Sequence, residues 1–173
     1  MTAIDRTPDN LNLLSQLNFR FLLKRAPHVE FFIQKVNIPS ISLKEVEVPN
    51  QFVKVPYPGD HIDYSNLDVT FKVDEDLNNY LEIHNWIRAL GKPTEFTEYK
   101  EIAKNASYTG MGVVSDIAIT VMSNIKNYNY EINFIDAFPV NLSGIEFRTT
   151  DSDIKYIEAT ATFKYSYYNL VNV

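Results

Sequence analysis

The residues able to do chemistry are few and scattered. His28, His61 and His84 share no metal-ligand spacing, and a ligand set needs partners at fixed offsets. His84 falls on the apolar stripe of what reads as a helix, where a satisfied boundary histidine explains it better. His61-Ile62-Asp63 sets a carboxylate two residues from an imidazole, yet no nucleophile motif accompanies the pair. Ordinary turn polarity accounts for it. Asp74-Glu75-Asp76 has the charge to hold a cation, but carboxylates ahead of a helix already complement its dipole. Five glycines form neither a phosphate-cradling loop nor a dinucleotide fingerprint. The absence of cysteine removes disulfides, thiolate metal sites and cysteine nucleophiles. Asn105-Ala106-Ser107 and Asn141-Leu142-Ser143 match the glycosylation pattern, but with no secretory route indicated they read as chance. This inventory points away from an enzyme, and no metal or cofactor is expected.

Length and charge narrow the classes further. A chain of 173 residues, 45% of them hydrophobic, is read as one domain, 1–173, with a real core. "MTAIDRTPDN" lacks the basic start and apolar run of a signal peptide. No apolar stretch approaches the roughly 20 residues of a membrane span, so no membrane segment is expected. A net charge of -6 disfavours a nucleic-acid binder held by phosphate contacts. The cluster "YSYYNL" has the aromatics to stack sugars or bases, but a sheet edge or subunit interface uses them equally well.

The elements that must position these residues are mostly strands. "LNFRFLLKR" places Leu17, Phe19, Phe21 and Leu23 on one face. "VEFFIQKVNI" reads as a strand apolar on both faces, ended by Pro39. "LKEVEV" and "QFVKV" flank Pro49 and Asn50, "PYPGD" supplies turn chemistry, and "LDVTFKV" alternates cleanly. The period then becomes helical. Leu77, Tyr80, Leu81, His84 and Ile87, with Ile83, Trp86 and Leu90 beside them, form a broad apolar stripe. Asp76 suits the N-cap, Arg88 the last turn and Gly91 the C-terminal end. Residues 1–16 form a polar N-terminal segment and 94–112 a long loop, with a short helix around Phe96, Tyr99 and Ile102 as the alternative. "DIAITVMS" and "YEINFIDAF" read as a hairpin ended by Pro139, "LSGIEFRTT" as a further strand and "DSDI" as a turn. The last strand alternates without a break, with Ile157, Ala159, Ala161, Phe163, Tyr165 and Tyr167 on one side. Glu158, Thr160, Thr162, Lys164 and Ser166 lie on the other. At about 3.3 Å per residue, a dozen residues span about 40 Å, more than one small core needs. The class is mainly β, a sandwich or partly closed barrel with one flanking α-helix.

Two blocks carry a resemblance. "DAFPVNLSGIEFRTTDSDIKYIEATATFKYSYY" resembles the C-terminal signature of contractile-tail bacteriophage tail tube proteins, including related baseplate tube initiators. "KVNIPS" followed by "VEVPNQFVKVPYPGDHIDYSNLDVTFKVDEDLNNYLEIHNWIRAL" is similar to that family's Pro-terminated strand, long hairpin, Gly-Asp turn and Trp-centred helix. Together they span about Asn18 to Tyr168, in the family's order.

The resemblance implies a structural virion protein of the phage tail, assembled in the host cytoplasm. Six copies would join into rings, and rings would stack into a tube inside a contractile sheath. That tube would let DNA pass without specific binding. Sheath, tape-measure and baseplate proteins are the implied partners. Glu158, Thr160, Thr162, Lys164 and Ser166 would then face the channel, and the chain's acidity would help repel phosphate. Val48, Gln51, Phe52, Val53, Lys54, Val55 and Tyr57, with Tyr165, Tyr167 and Tyr168, become candidates for contacts between subunits or rings. The compact length favours a repeating tube subunit over a larger baseplate initiator, and a tube subunit of a phage-like secretion or bacteriocin system is a further alternative. A monomeric β barrel whose tyrosines line a ligand pocket is the alternative of a different class.

Overall fold

The computed structural model describes residues 12–91, 113–149 and 155–172. The long loop at 94–112, the "DSDI" turn and most of the N-terminal segment lie outside them. The strands are β1 (Phe19–Leu23), β2 (Ile33–Val36), β3 (Ile41–Pro49), β4 (Lys54–Tyr64), β5 (Leu67–Lys72), β6 (Ser115–Met122), β7 (Tyr128–Leu142), β8 (Glu158–Lys164) and β9 (Tyr167–Asn172). The helices are α1 (Pro27–Phe31) and α2 (Asn78–Gly91). A seven-stranded antiparallel sheet runs β1-β6-β7-β8-β5-β2, with β9 also paired to β7, while β3 and β4 form a separate two-stranded ribbon.

Alternation builds the core. Along β5 and β8 every second residue is buried: Leu67, Val69 and Phe71 against Ala159, Ala161 and Phe163, in direct register. Phe21, Leu23, Ile117, Ile119, Ile132 and Phe134 come in from β1, β6 and β7 to the same cluster. The sheet therefore curls around one core as a partly closed barrel, and α2 covers it with Ile83 and Trp86. Burying a side chain of this size contributes roughly 1.5–3 kcal/mol.

β7 makes the curl possible. Its first half lies between β6 and β9, while its second half pairs with β8. The strand bends at Asp136, which takes a left-handed φ of 56°, a conformation that aspartate tolerates better than most residues. Pro139 does not end this strand, as its sequence suggested. The register slips between Pro139 and Asn141, and an irregularity is where a strand accommodates a residue with no N–H to give.

Four other expectations are corrected. "VEFFIQKVNI" is not one strand: Pro27 begins α1 at its first position, Val29 is the buried anchor of that turn, and only Ile33–Val36 is extended. "LSGIEFRTT" does not form a strand after Leu142, because Ser143 instead turns its Oγ to accept from Thr160 N–H at 2.9 Å. The final strand breaks at Tyr165–Ser166 into β8 and β9, which pair with opposite halves of β7. Ser166 N–H donates to the Ile135 carbonyl at 3.0 Å, so this break sits beside the bend at Asp136. Last, α2 starts later and rotates further than its apolar stripe implied. Leu77 has φ 59° and its carbonyl, not that of Asp76, accepts from Leu81 N–H at 2.9 Å. Leu77, Leu81 and His84 are exposed, whereas Asn79, Ile83, Trp86 and Ala89 are buried. Asn79 accounts for the rotation: its Nδ2 donates to the Lys72 carbonyl at 2.8 Å, fixing the helix start to the end of β5.

Candidate assembly surfaces

Three surfaces gather the residues singled out by sequence. The first is the outer face of β5 and β8. Opposite the core, Lys72 stands across from Glu158, Thr70 from Thr160 and Asp68 from Thr162. The Thr70 and Thr160 hydroxyls lie 3.1 Å apart, and Thr162 Oγ1 donates to Asp68 Oδ1 at 2.8 Å. Lys35 joins this face opposite Thr70. With Lys164 it makes three lysines (35, 72, 164) against two carboxylates (Asp68, Glu158), so the chain's negative charge is not concentrated here. Ser166 belongs to the bend rather than to this ladder.

The second surface is the β3–β4 ribbon, an arm on which every residue of β3 is exposed. The sequence "PYPGD" lies inside β4 instead of turning the chain, and the reversal falls at residues 50–53. Prolines are tolerated because a two-stranded ribbon leaves alternate N–H positions facing solvent. Gly59 is required: three residues, 59–61, oppose the single residue Lys44, and a Cβ on Gly59 would meet the Lys44 carbonyl. Alternation along β3 places Ile41 and Leu43 on one face of the base, across from Tyr64 and Ile62. Beyond the irregularity, Val46 and Val48 lie on the other face with Tyr57 and Val55. The arm thus presents apolar surface in two directions, and Phe52 and Val53 at the tip are 90% and 62% exposed.

The third is the aromatic cluster at the arm's root. Tyr64, Phe134, Tyr165 and Tyr168 meet in edge-to-face and tilted pairs with centroids 4.9–6.1 Å apart. Tyr165 Oη donates to the Ser65 carbonyl at 2.8 Å and Tyr168 Oη to the Pro39 carbonyl at 3.4 Å. Burial, then the neighbouring Tyr168 and Tyr64, push the Tyr165 phenol up to about 12, so it remains a neutral donor. Tyr165 and Tyr168, candidates for subunit contacts, here clamp the arm to its own barrel, and Tyr167 stays on the surface.

Two small clusters join titratable groups. Lys44 Nζ is 3.1 Å and His61 Nε2 3.2 Å from Asp63. The Lys44 hydrogen bond holds the Asp63 carboxyl below its usual range. His28 Nδ1 lies 2.5 Å from Glu82 Oε1, linking α1 to α2, and that bond and its charge raise the His28 pKa. Among the described residues no group of three or more His, Asp or Glu is placed to hold a metal, and no helix is long and apolar enough to cross a membrane.

The family model for phage tail tube proteins matches residues 10–171. The chain belongs to the phage tail tube protein family. It is accordingly a structural component of the phage tail. By sequence it is similar to the tail tube terminator protein of Enterobacteria phage T4, with 27% identity over 141 residues covering 79% of this chain and 75% of that protein. By fold it is similar to the tube-terminating cap of the anti-feeding prophage (TM-score 0.62, 14% identity, 100% of both chains). It is also similar to a chain of the sheath–tube complex of an extracellular contractile injection system, PVC, in its extended state (TM-score 0.60, 16% identity, 94% of both chains). A tube terminator was not among the readings the sequence suggested.

Proposed function

We infer that the chain forms a ring of six copies that ends a tail tube, with the β3–β4 arm joining one copy to the next. The observation that carries this reading is the sequence relation to the T4 tail tube terminator, and the cap likeness over the full length of both chains supports it. Ring formation draws on the arm: a ribbon with apolar residues on both faces and every β3 residue exposed gains stability only when a neighbour covers it. In the assembled tail the polar ladder from Glu158 to Lys164 lines the channel through which DNA passes. The tube below, the surrounding sheath, and the tape-measure and baseplate proteins complete the set of partners, and assembly occurs in the host cytoplasm. A repeating tube subunit is the second reading, favoured by the sheath–tube likeness.

Negative-stain microscopy separates the two. A terminator purified alone gives single rings, and these cap the ends of preformed tubes of the same phage. A repeating subunit gives long tubes by itself. A monodisperse 20.0 kDa particle under all conditions overturns both. Replacing Gln51–Lys54 with a short Gly-Ser turn is expected to leave a folded monomer without rings.

A further inference from the structure

The seven-stranded sheet stops short of closing. Among the described residues β1 pairs only with β6 and β2 only with β5, and these two end strands flank a groove of about 750 Å³. Its walls carry Phe19, Arg20 and Phe21 from β1 and Ile33 and Gln34 from β2, with Phe31 of α1 at the rim. Leu17 and Phe31 are 88% and 84% exposed there. Two single-neighbour strands beside exposed apolar side chains are a template for an added strand or hairpin, which would pair their free N–H and C=O groups.

We propose that this groove receives the arm of a second copy of the chain, the tip residues Phe52 and Val53 entering between β1 and β2. The proposal rests on the ring reading above and names the surface the arm reaches. The arm belongs to none of the groove's walls, so its own barrel does not cover it. β3 alone runs nine residues, about 30 Å at about 3.3 Å per residue, enough to cross to an adjacent subunit. The groove carries one charge of each sign, the half-buried Glu30 and the exposed Arg20, which has no ion pair among the described residues. On the arm Lys54 is taken by Glu47 at 2.6 Å, which leaves Glu45 as the carboxylate assigned to Arg20. A further exposed apolar edge is β9, with Leu170 63% exposed.

Because the chain lacks cysteine, cross-linking has no background. Val53→Cys protein is mixed with Phe31→Cys protein, and separately with Leu170→Cys protein, under mild oxidation. All three positions are exposed, so the fold is retained, and circular dichroism verifies it. A disulfide dimer between Val53→Cys and Phe31→Cys, at least tenfold above the Leu170→Cys mixture and abolished by the Arg20→Glu change, is the expected result. Cross-linking to Leu170→Cys instead, or rings with no cross-link to Phe31→Cys, overturns the groove and leaves the ring reading standing. Absence of any ring or cross-link overturns the ring reading, and the groove assignment with it.

Discussion

A Cβ on Gly59 would stand 2.2 Å from the carbonyl oxygen of Lys44. No side chain fits there without opening the ribbon, since the obstructing atom is backbone. Gly59→Val is therefore expected to distort the arm while leaving the barrel, which the arm does not enter, within about 1 kcal/mol of its original stability. Denaturant titration checks the barrel and microscopy checks the rings. Normal rings from Gly59→Val would show that the arm's bulge is not needed for assembly.

Phe163 is fully buried beside Trp86, centroids 6.2 Å apart. Phe163→Ala is expected to cost about 3–5 kcal/mol by urea unfolding. Ile157, expected from sequence to be equally deep, is only half-buried, and its carbonyl accepts from Val73 N–H at 2.9 Å. Ile157→Ala should cost clearly less than Phe163→Ala, and equal costs would contradict the observed depth.

The polar ladder predicts a charge response. Thr160→Ser and Thr162→Ser keep the hydroxyls and should change stability by about 0.5 kcal/mol or less. Thr160→Lys with Thr162→Lys changes the face from three lysines against two carboxylates to five against two. Rings of this variant are expected to retain DNA at low salt and to release it as salt rises. Intact rings that never retain DNA would place the ladder away from the channel.

His28 and Glu82 predict a pH response. Glu82 raises the folded-state pKa of His28 above its ordinary 6.5, first through the hydrogen bond and then through charge, with Asp74 adding to it. A raised folded value means the pair's contribution is fully present below about pH 6.5 and is lost as pH rises through the folded value. Thermal melts should show a higher Tm on the acid side of that window in the original protein and a smaller difference in His28→Gln. An unchanged pH profile would remove the α1–α2 link from the stability of the fold.

What the sequence made readable follows from periodicity. β5, β6 and β8 alternate strictly between a core face and an opposite face, and α2 carries a helical period that stops at Gly91, so residue pattern alone locates them to within their ends. Asn79 escaped because a buried amide answers to a carbonyl on another element, Lys72, which no local pattern reveals. The break between β8 and β9 escaped for a related reason. Alternation persists through Tyr165, and what stops the strand is the bend of β7 opposite it. The arm was legible as a hairpin with its break at Pro49 and Asn50, but "PYPGD" read as a further turn where β4 runs on, since proline and glycine serve a bulge as readily as a reversal.

β7 belongs to both halves of the barrel, and this has a kinetic meaning. Its partners β6, β8 and β9 are all brought to one strand, while β5 finds β8 and β1 finds β6 across roughly a hundred residues of chain. Contacts this distant in sequence must overcome loop-closure entropy before they return any stabilisation, so folding belongs to the slow, millisecond-to-second regime of non-local β proteins. Neither half has a complete sheet until β7 is in place, and the barrel is expected to form in one cooperative step. A nascent subunit then reaches the assembling tail either whole or not at all, with no half-built barrel to poison a ring.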